Sequence, residues 1–422
     1  MKSVLKITLI LSIFAIGIFS IWQVSLTHAE EEIIRIRFSY RVDGFHDEIK
    51  TDDGETFTGY IENNYAHGYA TLTDLYGNTF SGYFYTGLRH GQGIMSYANG
   101  DIYIGYFYEG YRHGQGTFTT AYFEYTGDWA YHMIDGHGTL VVFNGSTYTG
   151  YFENGFRSGF GIYTDQSNQI YRGYWQGDRR NGQGHQTFAS GASYTGQWRN
   201  NQKHGVGIYY NSQGSRFEGH FNNGIRNGFG THLIYDGSSF TGHFYQGLPH
   251  NHGIFVHYTG WTYDGNWQNG QRTGHGTLTF ADGSTYTGNF NQDIISGHGV
   301  YTYVDGSIYT GHFRNNLRHG HGIHQDIEGW TYDGNWRDGQ KSGHGIFTFS
   351  DGSTHVGYFS NNLPSGHGTR TYKDANGIYF ATYIGDFQNG QRHGHGTLTH
   401  DNGIVQQGNW QHDDFIGGMN HE

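Results

Sequence analysis

Eight histidines occupy one position of a short repeated motif, seven of them between two glycines and His252 between Asn251 and Gly253. Imidazole is the side chain that titrates between about pH 5 and 8. On a strand this position alternates with aromatic positions, so the eight side chains are expected in a row on the polar face of a sheet. The row predicts a pH-sensitive binding strip, and the alternative is a polar residue that repetition has multiplied on a solvated strand. The residues are His137, His252, His275, His298, His321, His344, His367 and His395, the last seven from consecutive repeats.

Ten basic residues form a second row, at the position that follows the first turn of a repeat. A row of this kind favours the binding of phosphates or carboxylates along one edge of the sheet. Alternatively, the row pairs with an acidic position at the second turn (Asp236, Asp282, Asp305 and Asp351), or it solvates the edge and discourages unwanted strand pairing. The ten residues are Arg89, Arg112, Arg157, Arg180, Lys203, Arg226, Arg272, Arg318, Lys341 and Arg392.

Metal binding and catalysis are both disfavoured by this arrangement in rows. Equivalent residues of successive repeats would lie about 9.6 Å apart, two strand spacings, which is too far for ligands that each lie about 2 Å from one ion. Two histidine pairs on single strands, His319/His321 and His393/His395, remain candidates to share an ion, but the chain has no cysteine. A catalytic site needs unlike groups that converge in a pocket. We therefore expect no enzyme activity, no metal and no cofactor.

A repeat of almost 23 residues must position these rows. One glycine recurs sixteen times from Gly59 to Gly408, usually with an aromatic residue two positions before and two after it, and with a second glycine nine positions on. In the unit that begins at Tyr263, rings and glycines alternate with polar residues in two runs, the pattern of half-buried strands. A fixed period of this length indicates a modular array rather than a single globular enzyme.

Two turn signals in each unit join these strands into hairpins. The first turn position, Gly270 in the unit that begins at Tyr263, holds Gly, Asn or Asp in fifteen units, and His132 is the exception. Those three residue types tolerate a positive φ, so the position is predicted to be left-handed. Asp282-Gly283 marks the second turn. Because both glycine columns fall on the same face as the rings, we expect each missing side chain to leave a slot for a ring from a neighbouring strand.

The aromatic columns themselves are predicted to form the core, since they alternate regularly with glycine. If they were exposed instead, they would offer flat surfaces on which sugars stack. The tryptophans in question are Trp175, Trp198, Trp267, Trp336 and Trp410.

These residues resemble the MORN (membrane occupation and recognition nexus) repeat family. The shared pattern is Tyr-x-Gly-x-Trp/Phe, a turn with Gly and often Arg, then Gly-x-Gly and Asp-Gly-x-x-Tyr. It stands here as Tyr194-Thr195-Gly196-Gln197-Trp198 followed by Lys203-His204-Gly205-Val206-Gly207, and about sixteen copies cover residues 57–418. The resemblance implies an elongated array of β-hairpins that serves as a scaffold, with protein partners, self-association or phospholipid contact.

The N-terminus predicts export. Lys2 and Lys6 precede an apolar run, and Ala29 stands before a polar boundary, as in a secretory signal peptide. The alternative is an uncleaved anchor, because residues 7–26 approach the roughly 20 residues that span a bilayer. Either interpretation places the array in the periplasm, the lumen or the extracellular space. The formal net charge of −12 at pH 7 makes nucleic acid a poor partner.

The sequence thus predicts an all-β fold, an elongated array of antiparallel β-hairpins after an N-terminal apolar helix. The expected divisions are a signal peptide or anchor at residues 1–29, a cap or linker at 30–56, sixteen repeats at 57–418 and a tail at 419–422. The expected function is that of a non-enzymatic exported scaffold for protein partners, a membrane surface or self-association. The alternatives are a cell-surface glycan-binding array with aromatic platforms, and acid-triggered lipid binding through the histidine row.

Overall fold

The protein was analysed as a computed structural model that describes residue 33, residues 35–374 and residues 376–418. In these ranges the chain forms 33 β-strands and no helix. All observed strand pairs are antiparallel, and they join strands that follow each other in sequence. The predicted all-β array of antiparallel hairpins is therefore confirmed. The apolar N-terminal helix and the signal peptide or anchor were predicted for residues 1–29, which lie outside the described residues.

The strands fall into two compact units. The first contains the described residues up to 212 together with 221–224, and the second contains residues 213–220 and those from 225 onward. The strands of the first unit are β1 (Gly44–Lys50), β2 (Thr56–Glu62), β3 (Tyr65–Thr73), β4 (Thr79–Tyr85), β5 (Leu88–Ser96), β6 (Ile102–Tyr108), β7 (Tyr111–Thr119), β8 (Phe123–Ala130), β9 (Met133–Val142), β10 (Thr147–Glu153), β11 (Phe156–Thr164), β12 (Ile170–Gln176), β13 (Arg179–Thr187), β14 (Ser193–Arg199) and β15 (Gln202–Tyr210).

Strand β16 (Arg216–Asn222) lies where the two units divide. The strands of the second unit are β17 (Ile225–Leu233), β18 (Ser239–Tyr245), β19 (Leu248–Val256), β20 (Thr262–Gln268), β21 (Gln271–Thr279), β22 (Thr285–Asn291), β23 (Ile294–Thr302), β24 (Ile308–Arg314), β25 (Leu317–Gln325), β26 (Thr331–Arg337), β27 (Gln340–Thr348), β28 (Thr354–Ser360), β29 (Leu363–Lys373), β30 (Tyr379–Gln388), β31 (Gln391–His400), β32 (Val405–Gln411) and β33 (Asp414–Gly417).

The first turn of each repeat is a two-residue hairpin loop in which both residues have positive φ. Between β20 and β21 these residues are Asn269 (φ 51°) and Gly270 (φ 83°), the combination of a type I′ turn. The predicted left-handed position has positive φ in all sixteen repeats, and this includes His132 (φ 69°). The turn fixes the register, so that Trp267 lies directly opposite Arg272.

A β-bulge in the second strand of the hairpin was not predicted. On β21, the three residues between Arg272 and Gly276 face the single residue Asn266 of β20. Gly274, at the centre of the bulge, has φ of 58° and is exposed, and a Cβ atom there would meet Asn266 rather than a ring. The first glycine of the pair is therefore a bulge residue and not a ring slot, which corrects our expectation. Asn251 takes the same place with φ of 57°, because asparagine tolerates this conformation.

The second glycine of the pair does form a ring slot. Tyr263 lies over Gly265 of its own strand and over Gly276 of the neighbouring strand, where a Cβ atom would lie 2.6 Å from its ring carbons. Its ring makes edge contacts with Trp267 and Phe290, at centroid distances of 5.2 and 5.0 Å. Each such contact contributes about 0.5–1.5 kcal/mol beyond area burial. The predicted aromatic core is confirmed. Of the two glycine slots that the ring covers, one lies on the ring's own strand and the other on the neighbouring strand.

The hydroxyl of the tyrosine that covers these glycines (the slot tyrosine) also forms a hydrogen bond to the backbone that faces the bulge. The Oη–H of Tyr263 donates to the carbonyl oxygen of Asn266 at 3.1 Å, and the equivalent bond forms in ten repeats. Burial raises the pKa of Tyr263 to about 12, so the hydroxyl keeps its proton at neutral pH. The tyrosine column thus forms part of the core and also stabilises, through these hydrogen bonds, the backbone opposite the bulge.

Residues before the first repeat cover the start of the ring layer. Ile36 and Phe38 are buried, and the ring of Phe38 contacts that of Phe57 at 5.7 Å. The Ile36 amide donates to the carbonyl oxygen of Gly87, while the amide of Ala66 donates to the carbonyl oxygen of Ile36. Residues 36 and 38 thus pack against the first rings of the layer.

Candidate binding surfaces

The eight histidines of the row all lie exposed on the sheet face opposite the rings, which we call the outer face. Three of them lie beside a carboxylate: His252 at 2.9 Å from Asp264, His321 at 3.0 Å from Asp333, and His367 at 3.2 Å from Asp386. His395 contacts the side-chain oxygen of Asn409 at 3.1 Å, and His137, His298 and His344 contact the rings of Tyr151, His312 and Tyr358. In protonated form, each of these three imidazoles would form a neutral pair with its carboxylate and not a net positive site.

The two histidine pairs that were candidates for a shared metal do not converge on an ion. Gly320, in the left-handed conformation with φ of 67°, separates His319 from His321. His319 lies 3.5 Å from Asp338, and the ring of His393 faces that of His412 at 5.7 Å. Within the residues that the structure describes, no group of three or more metal-ligating side chains occurs.

The first unit carries an aromatic patch on its outer face that the sequence analysis did not single out. Three columns contribute: the residue after the recurring glycine, the residue three positions after that glycine, and the residue between the paired glycines. Tyr69 and Tyr83 lie opposite each other with ring centroids 5.6 Å apart and are 62% and 53% exposed. We define the outer tyrosine patch by its exposed members Tyr60, Tyr69, Tyr83, Tyr85, Tyr108, Tyr151, Phe160 and Tyr174. The signal lay in the sequence, in the column Tyr60, Tyr83, Tyr106, Tyr151 and Tyr174.

In the second unit, most of the same outer positions are polar. From Gly242 onward the residue after the recurring glycine is histidine, asparagine or aspartate in seven repeats and Tyr358 in the eighth. The histidine row supplies its cross-strand neighbour in seven of these repeats, and Phe229 lies opposite His243 in the other. The two units therefore offer chemically different outer faces on one backbone design.

The basic row lies on the ring side of the sheet, and it is not a solvated edge. The guanidinium carbons of Arg157 and Arg318 lie 4.3 and 4.1 Å from the ring centroids of Trp175 and Trp336, the geometry of a cation–π contact. Arg112 is only 1% exposed. Burial lowers the pKa of Lys341 to about 8. These residues are thus part of the core, and the row is not free to bind phosphates.

The acidic partners of the row also differ from those expected. Arg157 Nε lies 2.9 Å from Asp178 Oδ1, and Arg272 Nε lies 3.0 Å from Asp293 Oδ1. Both aspartates are left-handed turn residues of the next repeat, so these ion pairs link consecutive repeats. At the second turn, Asp282 instead accepts a hydrogen bond from the Ser284 amide at 2.9 Å, and the hydroxyl and amide of Ser284 hold the pKa of Asp282 below its usual range.

The register across the turn would have revealed this placement. A two-residue loop at Asn269-Gly270 makes Trp267 and Arg272 direct partners, and direct partners share one face of a sheet.

A helix suited to crossing a bilayer is not found in the described part of the chain.

The fold and its rows define a class of protein, a β-hairpin repeat array with a ring-and-glycine layer on one side. A family model described as MORN repeat matches fourteen consecutive copies, at residues 80–102, 103–121, 125–147, 148–169, 171–193, 194–216, 217–239, 240–262, 263–285, 286–308, 309–331, 332–354, 355–376 and 383–405. The chain belongs to the MORN repeat family, which is typically a non-catalytic repeat scaffold. The hairpins β2–β3 and β32–β33 continue the same architecture on either side of the matched residues.

Several solved structures resemble parts of the chain. The TCP domain of SAS-4 (dCPAP) from Drosophila melanogaster, in complex with a proline-rich motif of Ana2 (dSTIL), is 19% identical, with a TM-score of 0.25 over 44% of this chain and 97% of that one. The G-box domain of the microcephaly protein CPAP is 13% identical, with a TM-score of 0.28 over 49% and 100% of the two chains. The TCP10 domain of Danio rerio CPAP is 9% identical, with a TM-score of 0.20 over 57% and 96%. Likeness at this level carries no functional argument. A comparison with curated protein sequences gives no match.

Proposed function

We propose that this chain is an exported, non-enzymatic scaffold that binds a protein partner through the outer tyrosine patch of its first unit. The observation that carries the proposal is the exposure of that patch. Its eight aromatic side chains are between 40% and 62% exposed on one sheet face, five on strands β2–β6 and three on strands β10–β12, and groups of exposed apolar side chains of this kind mark interaction sites. Tyrosine is also among the residues enriched at the centres of protein interfaces.

The ring geometry favours a protein over a glycan. The rings of Tyr69 and Tyr83 meet at 83°, and those of Phe160 and Tyr174 meet at 77°. Such edge-to-face pairs present one face and one edge to solvent, and not two coplanar faces on which consecutive sugars could stack. Side chains of a protein partner can pack into the angle between the rings, and the phenol hydroxyls supply hydrogen bonds at the rim.

Export belongs to the same proposal, and membrane contact is treated as a separate outcome. Export rests on the sequence of residues 1–29, and mass spectrometry of the mature N-terminus tests it, with a chain that begins at Glu30 as the expected result. Acid-triggered lipid binding through the histidine row is not favoured, because carboxylates lie beside three of its members. Equal liposome sedimentation at pH 7.5 and 5.5 is the outcome we expect.

Site-specific photo-crosslinking tests the proposed contact. A benzophenone side chain replaces Tyr83 in the full-length chain in its native host, and the matched control replaces Asn289, which holds the same outer position in the second unit. We expect one discrete crosslinked protein from position 83, lost on adding Tyr69→Thr, and none from position 289. Identical products from both positions would contradict the proposal. Saturable binding to an immobilised glycan that depends on Tyr69 would support the glycan-binding alternative.

A further inference from the structure

Two prolines interrupt the basic row of the ring face. Pro249 and Pro364 stand where ten other repeats have arginine or lysine, and they are the only prolines in the chain. An arginine in this row fills a defined space. Arg318 lies 4.1 Å from the ring centroid of Trp336 and 5.7 Å from that of Tyr309.

We call this space a cation seat. Besides the two rings, it has a hydrogen-bond acceptor, because Arg318 Nη2 donates to the carbonyl oxygen of Gly339 at 2.9 Å. The indole of Trp336 is held in place by its own bond from Nε1–H to the carbonyl oxygen of Gly322, at 3.0 Å. The seat is therefore built by groups whose positions do not depend on the arginine.

The same seat is built at Pro249, but no cation from the described residues lies over its indole. Trp267 Nε1–H donates to the carbonyl oxygen of Gly253 at 3.0 Å, and the rings of Phe240 and Trp267 meet at 5.3 Å and 85°. The corresponding values for Tyr309 and Trp336 are 5.3 Å and 84°.

The vacated seat is open to solvent. A groove of about 460 Å³ lies there, and its lining includes Phe240, Pro249, Trp267 and Gly270. Trp267 is 8% exposed, compared with 3% for Trp336.

Other repeats that lack a basic residue at this position fill the seat by other means. Ile134 and Ile295 are buried in it. At Pro364, the neighbouring Arg370 takes over, with its guanidinium carbon 5.7 Å from the ring of Phe387. At Ala66, residues 36 and 38 pack over the first rings, and in the last repeat Phe415 contacts the ring of Trp410 at 5.1 Å. Among the repeats that the structure describes, the seat at Pro249 therefore stands apart as the open one.

We propose that the Pro249 seat binds the guanidinium group of an arginine side chain that a protein partner supplies. The face of Trp267 attracts a cation, and the carbonyl oxygen of Gly270 lies where the equivalent oxygen accepts a guanidinium proton in the filled seats. The flanking cations Arg226 and Arg272 do not forbid this occupant. Consecutive seats are already filled in the row Arg157, Arg180 and Lys203, and Arg272 is neutralised by Asp293. The site lies on the ring side of the second unit and does not depend on the outer tyrosine patch.

Fluorine NMR of the full chain labelled with 5-fluorotryptophan tests the seat. The probe is N-acetyl-arginine methylamide, and the control is the neutral citrulline analogue of the same shape. We expect the arginine probe to shift the Trp267 resonance saturably, and the citrulline probe to bind at least tenfold more weakly. Trp267→Phe assigns the resonance, since phenylalanine holds this position in several repeats.

Variants at the prolines distinguish binding of the probe at the Pro249 seat from non-specific binding elsewhere on the surface. Pro249→Arg and Pro249→Ile fill the seat from within the chain and should abolish the shift. The isoleucine variant also guards against a folding defect, because isoleucine already occupies two equivalent seats. Pro364→Arg, at a seat that Arg370 covers, should leave binding unchanged. Equal binding of arginine and citrulline, no shift of Trp267, or retained binding in Pro249→Ile would each overturn the proposal.

Discussion

Replacing His355 by tyrosine should remove a loss of folding stability that the second unit suffers at acid pH. His355 occupies the slot position that holds tyrosine in ten repeats, and it is fully buried between Phe359 and Phe387 at centroid distances of 5.2 and 4.6 Å. Neither ring nitrogen has a hydrogen-bond partner among the residues that the structure describes. Burial, with the nearby charges of Arg370 and His344, lowers the pKa of His355 to about 4.

The sign of the effect follows from this lowered pKa. An unfolded histidine takes up its proton near pH 6.5, whereas the folded chain resists protonation of His355 until about pH 4. As the pH falls from above 6.5 to 4, protons therefore favour the unfolded state, and stability is lost. A shift of this size corresponds to a loss of about 2 kcal/mol at pH 5 and about 3 kcal/mol near pH 4.

The tyrosine variant removes the titrating group and also adds a hydrogen bond. Its hydroxyl should donate to the carbonyl oxygen of Tyr358, as slot tyrosines do elsewhere, which contributes about 1 kcal/mol at any pH. His355→Phe removes the titration without adding that bond, and phenylalanine already fills the slot at Phe57 and Phe217. The phenylalanine variant therefore isolates the pH-dependent part.

Urea unfolding at pH 7.5 and pH 5.0 measures the difference. We expect the advantage of His355→Tyr over the natural chain to grow from about 1 to about 3 kcal/mol between these pH values, and His355→Phe to show the same growth. The other histidines are common to all three proteins, so their contribution cancels. Parallel losses of stability in the natural chain and both variants would refute the reasoning.

Two further predictions concern the ring layer. Arg318→Ala should cost about 2–3 kcal/mol of unfolding free energy, because it removes a buried cation–π contact with Trp336 and a charged hydrogen bond; an exposed surface arginine would cost under about 0.5 kcal/mol. Gly276→Ala should cost about 1–3 kcal/mol, because its Cβ atom would meet the ring of Tyr263. Gly274→Asn should be close to neutral, since a Cβ atom there makes only van der Waals contact with Asn266, at 3.4 Å, and one repeat already has asparagine at this position. Urea unfolding measures both, and equal costs for the two glycine variants would contradict the assigned roles.

The sequence alone was sufficient to predict the hairpin array, because the period of the glycines and rings is long, regular and typical of one family. The left-handed turn position was predictable too, since few residue types tolerate a positive φ. The bulge at Gly274 was not, because a three-against-one pairing preserves the alternation of the residues on either side of it. The alternation of inward and outward residues along the sequence is therefore the same with or without the bulge.

The basic row shows a different limit. Arginine and lysine are usually placed in solvent, yet their aliphatic stems and flat head groups also pack on rings. Only the register across the turn decides between these environments, and that register depends on the loop having two residues. The outer tyrosine patch was not predicted, because the buried and the exposed aromatic columns have similar composition. They differ only in which alternate positions of the strand they occupy.

Burying the basic row has a consequence for the charge that solvent experiences. Ten of the 24 lysine and arginine residues belong to that row, and their charges are held against rings and turn carboxylates on one side of the sheet. A molecule that approaches the outer face therefore meets a more anionic surface than the net charge of −12 indicates. Binding at the outer face should therefore weaken with added salt when the partner is basic, strengthen with added salt when the partner is acidic, and respond only weakly when the partner is neutral.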